Sequence, residues 1–133
     1  MNYLLDTHAF IWSFMDLGKL SKKAYSVASD TNNQIFISPI SFWEIAIKHQ
    51  LGKLDLGKMN ILHLPNIASE YDFSILPLDV YDYVAVHNLP LKENHRDPFD
   101  RMLIHTAIRN NLILLSSDQM FKQYEQEGLQ LLW

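Results

Sequence analysis

The chain has 133 residues, 48% hydrophobic and 20% charged, with a formal net charge of −4 and no cysteine. That length predicts one domain, 1–133, able to bury roughly two-thirds of its unfolded surface, with an ordinary soluble composition that excludes disorder. The missing thiols exclude a disulfide framework, a thiolate zinc site and a cysteine nucleophile, so a reducing cytoplasm is expected; the acidic balance excludes nucleic-acid binding through a broad basic surface.

Tyr3-Leu4-Leu5 is a short apolar run ending at Asp6 and predicts a strand, after which residues 7–14 shift to helical spacing. No basic segment precedes it, and no apolar run approaches the ~20 residues of a membrane span, so neither export nor insertion is expected. Ser21 can cap a second helix through about Ser29, and Thr31-Asn32-Asn33 turns the chain into a strand at 34–37. Pro39 suits a helix start. Phe42, Ile45, Ala46 and His49 then recur at helical spacing until Gly52, with Glu44 on the next face over. A helix from about Asn60 to Tyr71, a strand at 73–76 and a helix from Leu78-Asp79 that ends before Pro90 follow.

His95-Arg96-Asp97-Pro98-Phe99-Asp100 is a helix-start signature, with Asp97 as N-cap, Pro98 at the first helical position and Asp100 at the third. The helix should run to about Asn110. Leu112 to Leu115 is a continuous apolar run of the kind buried on both faces of a sheet, and Ser116-Ser117-Asp118 stands at its end. A short helix around 120–126, Gly128 as a stop and an apolar segment at 129–133 complete the chain. No repeat, low-complexity tract or linker interrupts it.

Short apolar strands alternating with helices predict an α/β sandwich with a mostly parallel central sheet flanked by helices. Ligands of such sheets bind outside the carboxyl ends of the strands, and Asp6 and Asp118 are the first acids after two of the strands. With Glu44 and Asp100 on helices starting at the same edge, they would supply the hard oxygen ligands that Mg²⁺ takes. Each also has a plainer reading. Asp6 and Asp118 are placed to cap helices, Glu44 to face solvent, and Asp97 with Asp100 to complement a helix macrodipole.

Four segments carry a resemblance: Leu4-Leu5-Asp6-Thr7-His8, Ser41-Phe42-Trp43-Glu44-Ile45, Arg96-Asp97-Pro98-Phe99-Asp100-Arg101-Met102-Leu103-Ile104, and Leu114-Leu115-Ser116-Ser117-Asp118. In order and interval, over essentially the whole chain, they resemble the acidic motifs of PIN domains. Within that superfamily they are most similar to the VapC-type toxins of bacterial toxin-antitoxin pairs that carry an Asp-Pro-Phe-Asp-Arg stretch. The resemblance implies a PIN-like three-layer sandwich and a cytoplasmic endoribonuclease that uses Mg²⁺ or Mn²⁺ to hydrolyse RNA phosphodiesters, leaving a 5′-phosphate and a 3′-hydroxyl. It carries over Asp6, Glu44, Asp100 and Asp118 as the metal-binding and catalytic quartet. Asp97 is either a further metal ligand, a group supporting one, or only the cap. Ser116 stands where the family often has Thr, and it and Thr7 can orient neighbouring carboxylates. The implied partners are an RNA substrate, a small cognate antitoxin and a second copy of the chain.

Crowded carboxylates gain by binding a divalent cation, which would also reverse the local sign of an acidic protein toward RNA. Lys48, Arg96 and Arg101 are candidate phosphate contacts, and His95 is a candidate orienting group. The scattered histidines contain no His-Glu-x-x-His pattern, which argues against a zinc hydrolase. Phe10, Trp12, Phe14, Phe42, Trp43 and Ile47 exceed what one stripe per helix needs, so some are expected either in the core or in an exposed partner-binding patch. The alternative function is the same fold as an RNA- or protein-binding module with weak or no nuclease activity. A haloacid-dehalogenase-type phosphatase would want a second Asp where His8 stands, and no Gly-rich phosphate cradle supports a P-loop ATPase.

Overall fold

The computed structural model describes all 133 residues. Five strands, β1 (Asn2–Leu5), β2 (Gln34–Ile37), β3 (Ser74–Ile75), β4 (Ile113–Leu115) and β5 (Gln130–Leu132), form one sheet in the order β3-β2-β1-β4-β5, every pair parallel. Helices α1 (Thr7–Met15), α2 (Lys22–Ser29), α3 (Pro39–Gln50), α4 (Leu64–Glu70), α5 (Val80–Ala85) and α6 (Pro98–Arg109) connect them. No helix is long and apolar enough to cross a membrane.

Side chains on a strand alternate between faces, and β1 shows the consequence. Tyr3 and Leu5 join a core with Ile35, Ile37, Phe10 and Ile45, while Leu4 joins a second core with Leu114, Leu103, Ile104, Phe121 and Tyr124. Leu4 and Leu114 are fully buried, and truncating either to Ala would cost about 2–5 kcal/mol. Helical layers thus cover both faces of a sheet whose central strands are apolar beyond their first residues, the three-layer arrangement expected from the sequence.

Strand order places the functional crevice. From β1 the chain moves outward through β2 to β3, then returns to the other side of β1 to lay down β4 and β5. The connections therefore diverge between β1 and β4, and a parallel sheet opens a ligand crevice at the carboxyl ends of the strands where they do so.

Three local expectations are refined. The strand expected at 73–76 pairs only at Ser74–Ile75. The helix expected from Asn60 begins as a 3-10 turn at Ile61–His63 before α4, and the one around 120–126 is a 3-10 helix throughout, Gln119–Glu127. Gly128, at φ 99°, ends it with a left-handed residue that other side chains rarely adopt. Of the six positions expected either in the core or in an exposed patch, Phe10 is buried, Trp12, Phe14, Phe42 and Ile47 are half-buried, and Trp43 is exposed. The first four pack against the larger core because α1 and α3 both lie on it. Exposed apolar side chains also stand on α5, at Val80, Tyr81 and Val84.

Candidate active site

Four of the five acids named from the sequence are placed by a strand end or a helix start. β1 delivers Asp6 to the first turn of α1, where its Oδ1 accepts the Ala9 N–H at 2.7 Å. Beyond β4, Ser116 Oγ accepts the Asp118 N–H at 3.1 Å, and Asp118 Oδ1 accepts the Met120 N–H at 2.9 Å. Asp97 caps α6 through the Asp100 N–H at 3.0 Å, which sets Asp100 in the first turn. Glu44 projects from the middle of α3 and is buried, not solvated.

All five acids, Asp6, Glu44, Asp97, Asp100 and Asp118, line one cleft of about 90 Å³, together with Thr7, His8, Lys48, Ser117 and Phe121. Capping and cleft-lining are thus not alternatives. Asp6, Asp97 and Asp118 each commit one oxygen to a helix start and still face the others.

The cleft carries more negative charge than it balances. Burial, then the charges of Asp97, Glu44, Asp118 and Asp6, push the Asp100 carboxyl up to about 7. Burial also raises Asp6, against the hydrogen bonds it accepts from Ser116 and Ala9. Glu44 is held from both sides: Thr7 Oγ1 donates to its Oε1 at 2.6 Å, and Lys48 forms an ion pair with Oε2. Thr7 Oγ1 also lies 3.0 Å from Ser41 Oγ. Partial burial opposes the charge on Lys48, but Glu44, Asp97 and Asp100 together raise its pKa, so the ammonium stays charged.

His95 joins the group from the loop preceding α6. Its Nε2 lies 3.2 Å from Asp100 Oδ2 and its Nδ1 2.9 Å from the Tyr124 hydroxyl, and burial lowers its pKa despite the charges of Asp118 and Asp97. One of its ring nitrogens and one oxygen each of Asp100 and Asp118 fall within 4.8 Å of one another. Oxygen-rich donors at this density suit a hard divalent cation such as Mg²⁺ or Mn²⁺. The unbalanced charge that raises Asp100 is what such a cation would neutralise, so the residues present fit the metal.

The basic candidates divide. Lys48 lines the cleft; Arg96 is exposed and borders a separate apolar groove with Trp43 and Phe99. Arg101 is a correction. It is buried, and its guanidinium donates to Leu89 O at 2.8 Å and Pro90 O at 3.1 Å, because carbonyls of that inward-packed loop need donors. Its phosphate-contact reading is therefore withdrawn. Sequence reasoning missed Tyr124 altogether, since its only signal is being a tyrosine inside a buried stripe nine residues past β4.

The geometry can be set beside known proteins. The PIN domain family profile matches residues 3–127. No curated protein sequence matches significantly. Among solved structures, VapBC2 from Rickettsia felis bound to a DNA fragment from their promoter is similar with TM-score 0.68 at 20% identity, covering 99% of this chain and 98% of that one. VapBC-1 from nontypeable Haemophilus influenzae gives TM-score 0.65 at 19% identity, with coverages of 99% and 97%. A domain of a functionally unknown protein from Methanocaldococcus jannaschii gives 0.52 at 18%, covering 99% and 89%. At these identities the structures speak for the fold, and the profile, matching nearly the whole length, speaks for descent: this chain belongs to the PIN domain family.

Proposed function

We propose that this protein is a divalent-metal-dependent endoribonuclease and the toxin of a toxin-antitoxin pair. The observation carrying the reading is the meeting of Asp6, Glu44, Asp97, Asp100 and Asp118, from four separate segments, in one cleft beyond the ends of β1 and β4. A structural cluster of acids would be balanced by cations; this one leaves Asp100 near 7.

A cation bound by Asp6, Glu44, Asp100 and Asp118, as Mg²⁺ or Mn²⁺, supplies a water of lowered pKa and polarises a phosphoryl oxygen. The protein's own part is positioning and charge. Backbone N–H groups pin Asp6 and Asp118, while Thr7 and Lys48 pin Glu44, so little reorganisation is needed when substrate arrives. Lys48 is the only Lys or Arg on the cleft wall. It pairs with Glu44, and it is the group available to meet a phosphate once the acids are neutralised.

The VapBC structures that share the fold support a small cognate antitoxin as a partner of this chain; a toxin homodimer and a cytoplasmic location complete the proposal. Co-expression with the product of a neighbouring small gene, followed by sedimentation, tests both. The activity is tested by incubating an RNA panel with Mg²⁺, with Mn²⁺ and with EDTA, and mapping the new ends. Expected are metal-dependent internal cuts with 5′-phosphates. Undiminished cleavage in EDTA, a fully active Asp6→Asn protein, or RNA retained but never cut would overturn the nuclease reading.

A further inference from the structure

Asp100 is anchored differently from the other acids of the cleft. Asp6, Asp97 and Asp118 each accept a backbone N–H, and Glu44 accepts from Thr7 and Lys48. Asp100 caps nothing. The hydrogen-bond partner of its side chain is His95 Nε2, at 3.2 Å from Oδ2.

His95 is itself held tightly. Its ring is buried and packs edge-on against Phe121 and Tyr124, each with centroids 5.4 Å away. A neutral imidazole donates at one nitrogen and accepts at the other, and the partner of Nδ1 decides which. That partner is the Tyr124 hydroxyl, at 2.9 Å.

The hydroxyl has one proton to give. Arg101 Nη1, 3.4 Å away, can only donate, so it takes a lone pair of the phenolic oxygen. The acceptors left for the proton are His95 Nδ1 at 2.9 Å and the His95 carbonyl at 3.5 Å, and the shorter contact wins. Nδ1 therefore accepts, the ring proton sits on Nε2, and Nε2–H donates to Asp100. Arg101 cannot turn away, being fixed on Leu89 O and Pro90 O.

We propose that His95 is a positioning residue, set as its Nε2–H tautomer by the buried relay Arg101–Tyr124–His95, and that it aims Asp100 at the bound cation rather than ligating the cation itself. The proposal rests on the metal-dependent reading above and states what holds one of its carboxylates. It also decides between two roles for His95, one of whose ring nitrogens lies within 4.8 Å of Asp100 and Asp118 oxygens, a spacing that could hold an ion. Groups that orient a metal's ligands in this way typically contribute about 10–100-fold in affinity.

Two measurements test it. In the metal-free protein, long-range ¹H–¹⁵N correlation of the His95 ring should show a protonated Nε2 and an unprotonated Nδ1; Tyr124→Phe should yield a mixture of tautomers. Adding Mg²⁺ should leave the Nε2 proton in place. A protonated Nδ1 in the wild type, or loss of the Nε2 proton on adding Mg²⁺, overturns the proposal. Separately, Mn²⁺ affinity read by electron paramagnetic resonance should fall at least ~10-fold in His95→Leu and by under ~3-fold in His95→Gln, which keeps a donor facing Asp100. Equal affinity in wild type and His95→Leu also overturns it. Should His95→Leu not fold, the spectra of wild type and Tyr124→Phe still decide. A wild type that binds no Mn²⁺ would remove the metal reading, while the metal-free spectrum would still decide the relay.

Discussion

At the amino end of α6, Asp100 faces Asp97, Glu44, Asp118 and Asp6, with Lys48 already paired to Glu44. At its carboxyl end, the buried Asp82 of α5 meets Arg109 in an ion pair, has His105 Nε2 at 3.7 Å, and closes a capping box on the Asp79 N–H at 2.9 Å. Burial alone would raise Asp82, but the Asp79 N–H, Arg109 and His105 hold it below the ordinary carboxylate value. Burial raises Asp100, and its neighbours raise it further. The same side-chain chemistry on adjoining helices thus does opposite work. An acid matched by donors and cations ties two elements together; an acid left among acids waits for a cation from outside.

The sharpest way to break this contrast is to neutralise each acid in turn. Asp100→Asn should lower RNA cleavage on the order of 100-fold or more, since it removes a ligand charge, while leaving the metal-free melting temperature unchanged or higher because repulsion is relieved. Asp82→Asn should leave cleavage close to wild type but cost about 1.5–3 kcal/mol, the range for hydrogen bonds to charged groups. Parallel cleavage assays and chemical denaturation read both. If Asp82→Asn loses activity as severely as Asp100→Asn while remaining folded, the division between structural and functional carboxylate fails.

Next in size is the response to metal. A ligand that binds only the native state stabilises by about 2.7 kcal/mol at a hundredfold excess over its Kd. Calorimetry with Mg²⁺ should therefore raise the melting temperature, more at pH 8 than at pH 5.5, where protons compete for Asp100. The increment should vanish in Asp100→Asn and persist in Asp82→Asn. A pH-independent increment would mean that the ion binds elsewhere.

Without metal, the two acids should shape opposite limbs of the stability profile. Asp100 has a native pKa of about 7 against an unfolded value near 3.9, so the native state holds a proton that the unfolded chain releases. Its favourable contribution is complete below about pH 4 and is lost as pH rises through about 7, on the order of 2–4 kcal/mol. Asp82, lowered in the native state, contributes above about pH 4 and loses that contribution as pH falls through its native pKa. Urea denaturation across pH should find the alkaline limb flattened in Asp100→Asn and the acid limb flattened in Asp82→Asn.

This contrast also marks what the sequence could reveal. Asp6 and Asp118 were legible because a parallel sheet exposes the residues that follow its strands, and Pro98 after Asp97 fixed where α6 starts. The short apolar runs at Tyr3-Leu4-Leu5 and Leu112–Leu115, alternating with helical stretches, were enough for the layering. Arg101 and Tyr124 were not legible. Whether an arginine meets phosphate or satisfies the Leu89 and Pro90 carbonyls depends on the path of the loop before α6, which leaves no local pattern. The partners of Asp82 were hidden for the same reason: α5 meets α6 only in three dimensions, and Arg109 lies 27 residues further along.

The smallest expected effect is at Asp97, whose position lies between the two classes. It lines the cleft and adds to the charge that raises Asp100, yet it is exposed and its Oδ1 is engaged by the Asp100 N–H. Asn caps a helix about as well as Asp, so Asp97→Asn should change stability by less than about 0.5 kcal/mol. Removing its charge should also let Asp100 ionise more readily and shift the metal-free alkaline limb to lower pH, since a carboxylate relieved of a like charge titrates earlier. Were Asp97 only a cap, cleavage at saturating Mg²⁺ would be within a few-fold of wild type and the Kd for the ion would change little. Were it a direct ligand, the Kd would rise as it does in Asp100→Asn despite the intact cap. Titrating Mn²⁺ into Asp97→Asn and Asp97→Ala separates the cases: a cap role makes Ala worse than Asn in stability with equal metal affinity, whereas a ligand role weakens the ion equally in both.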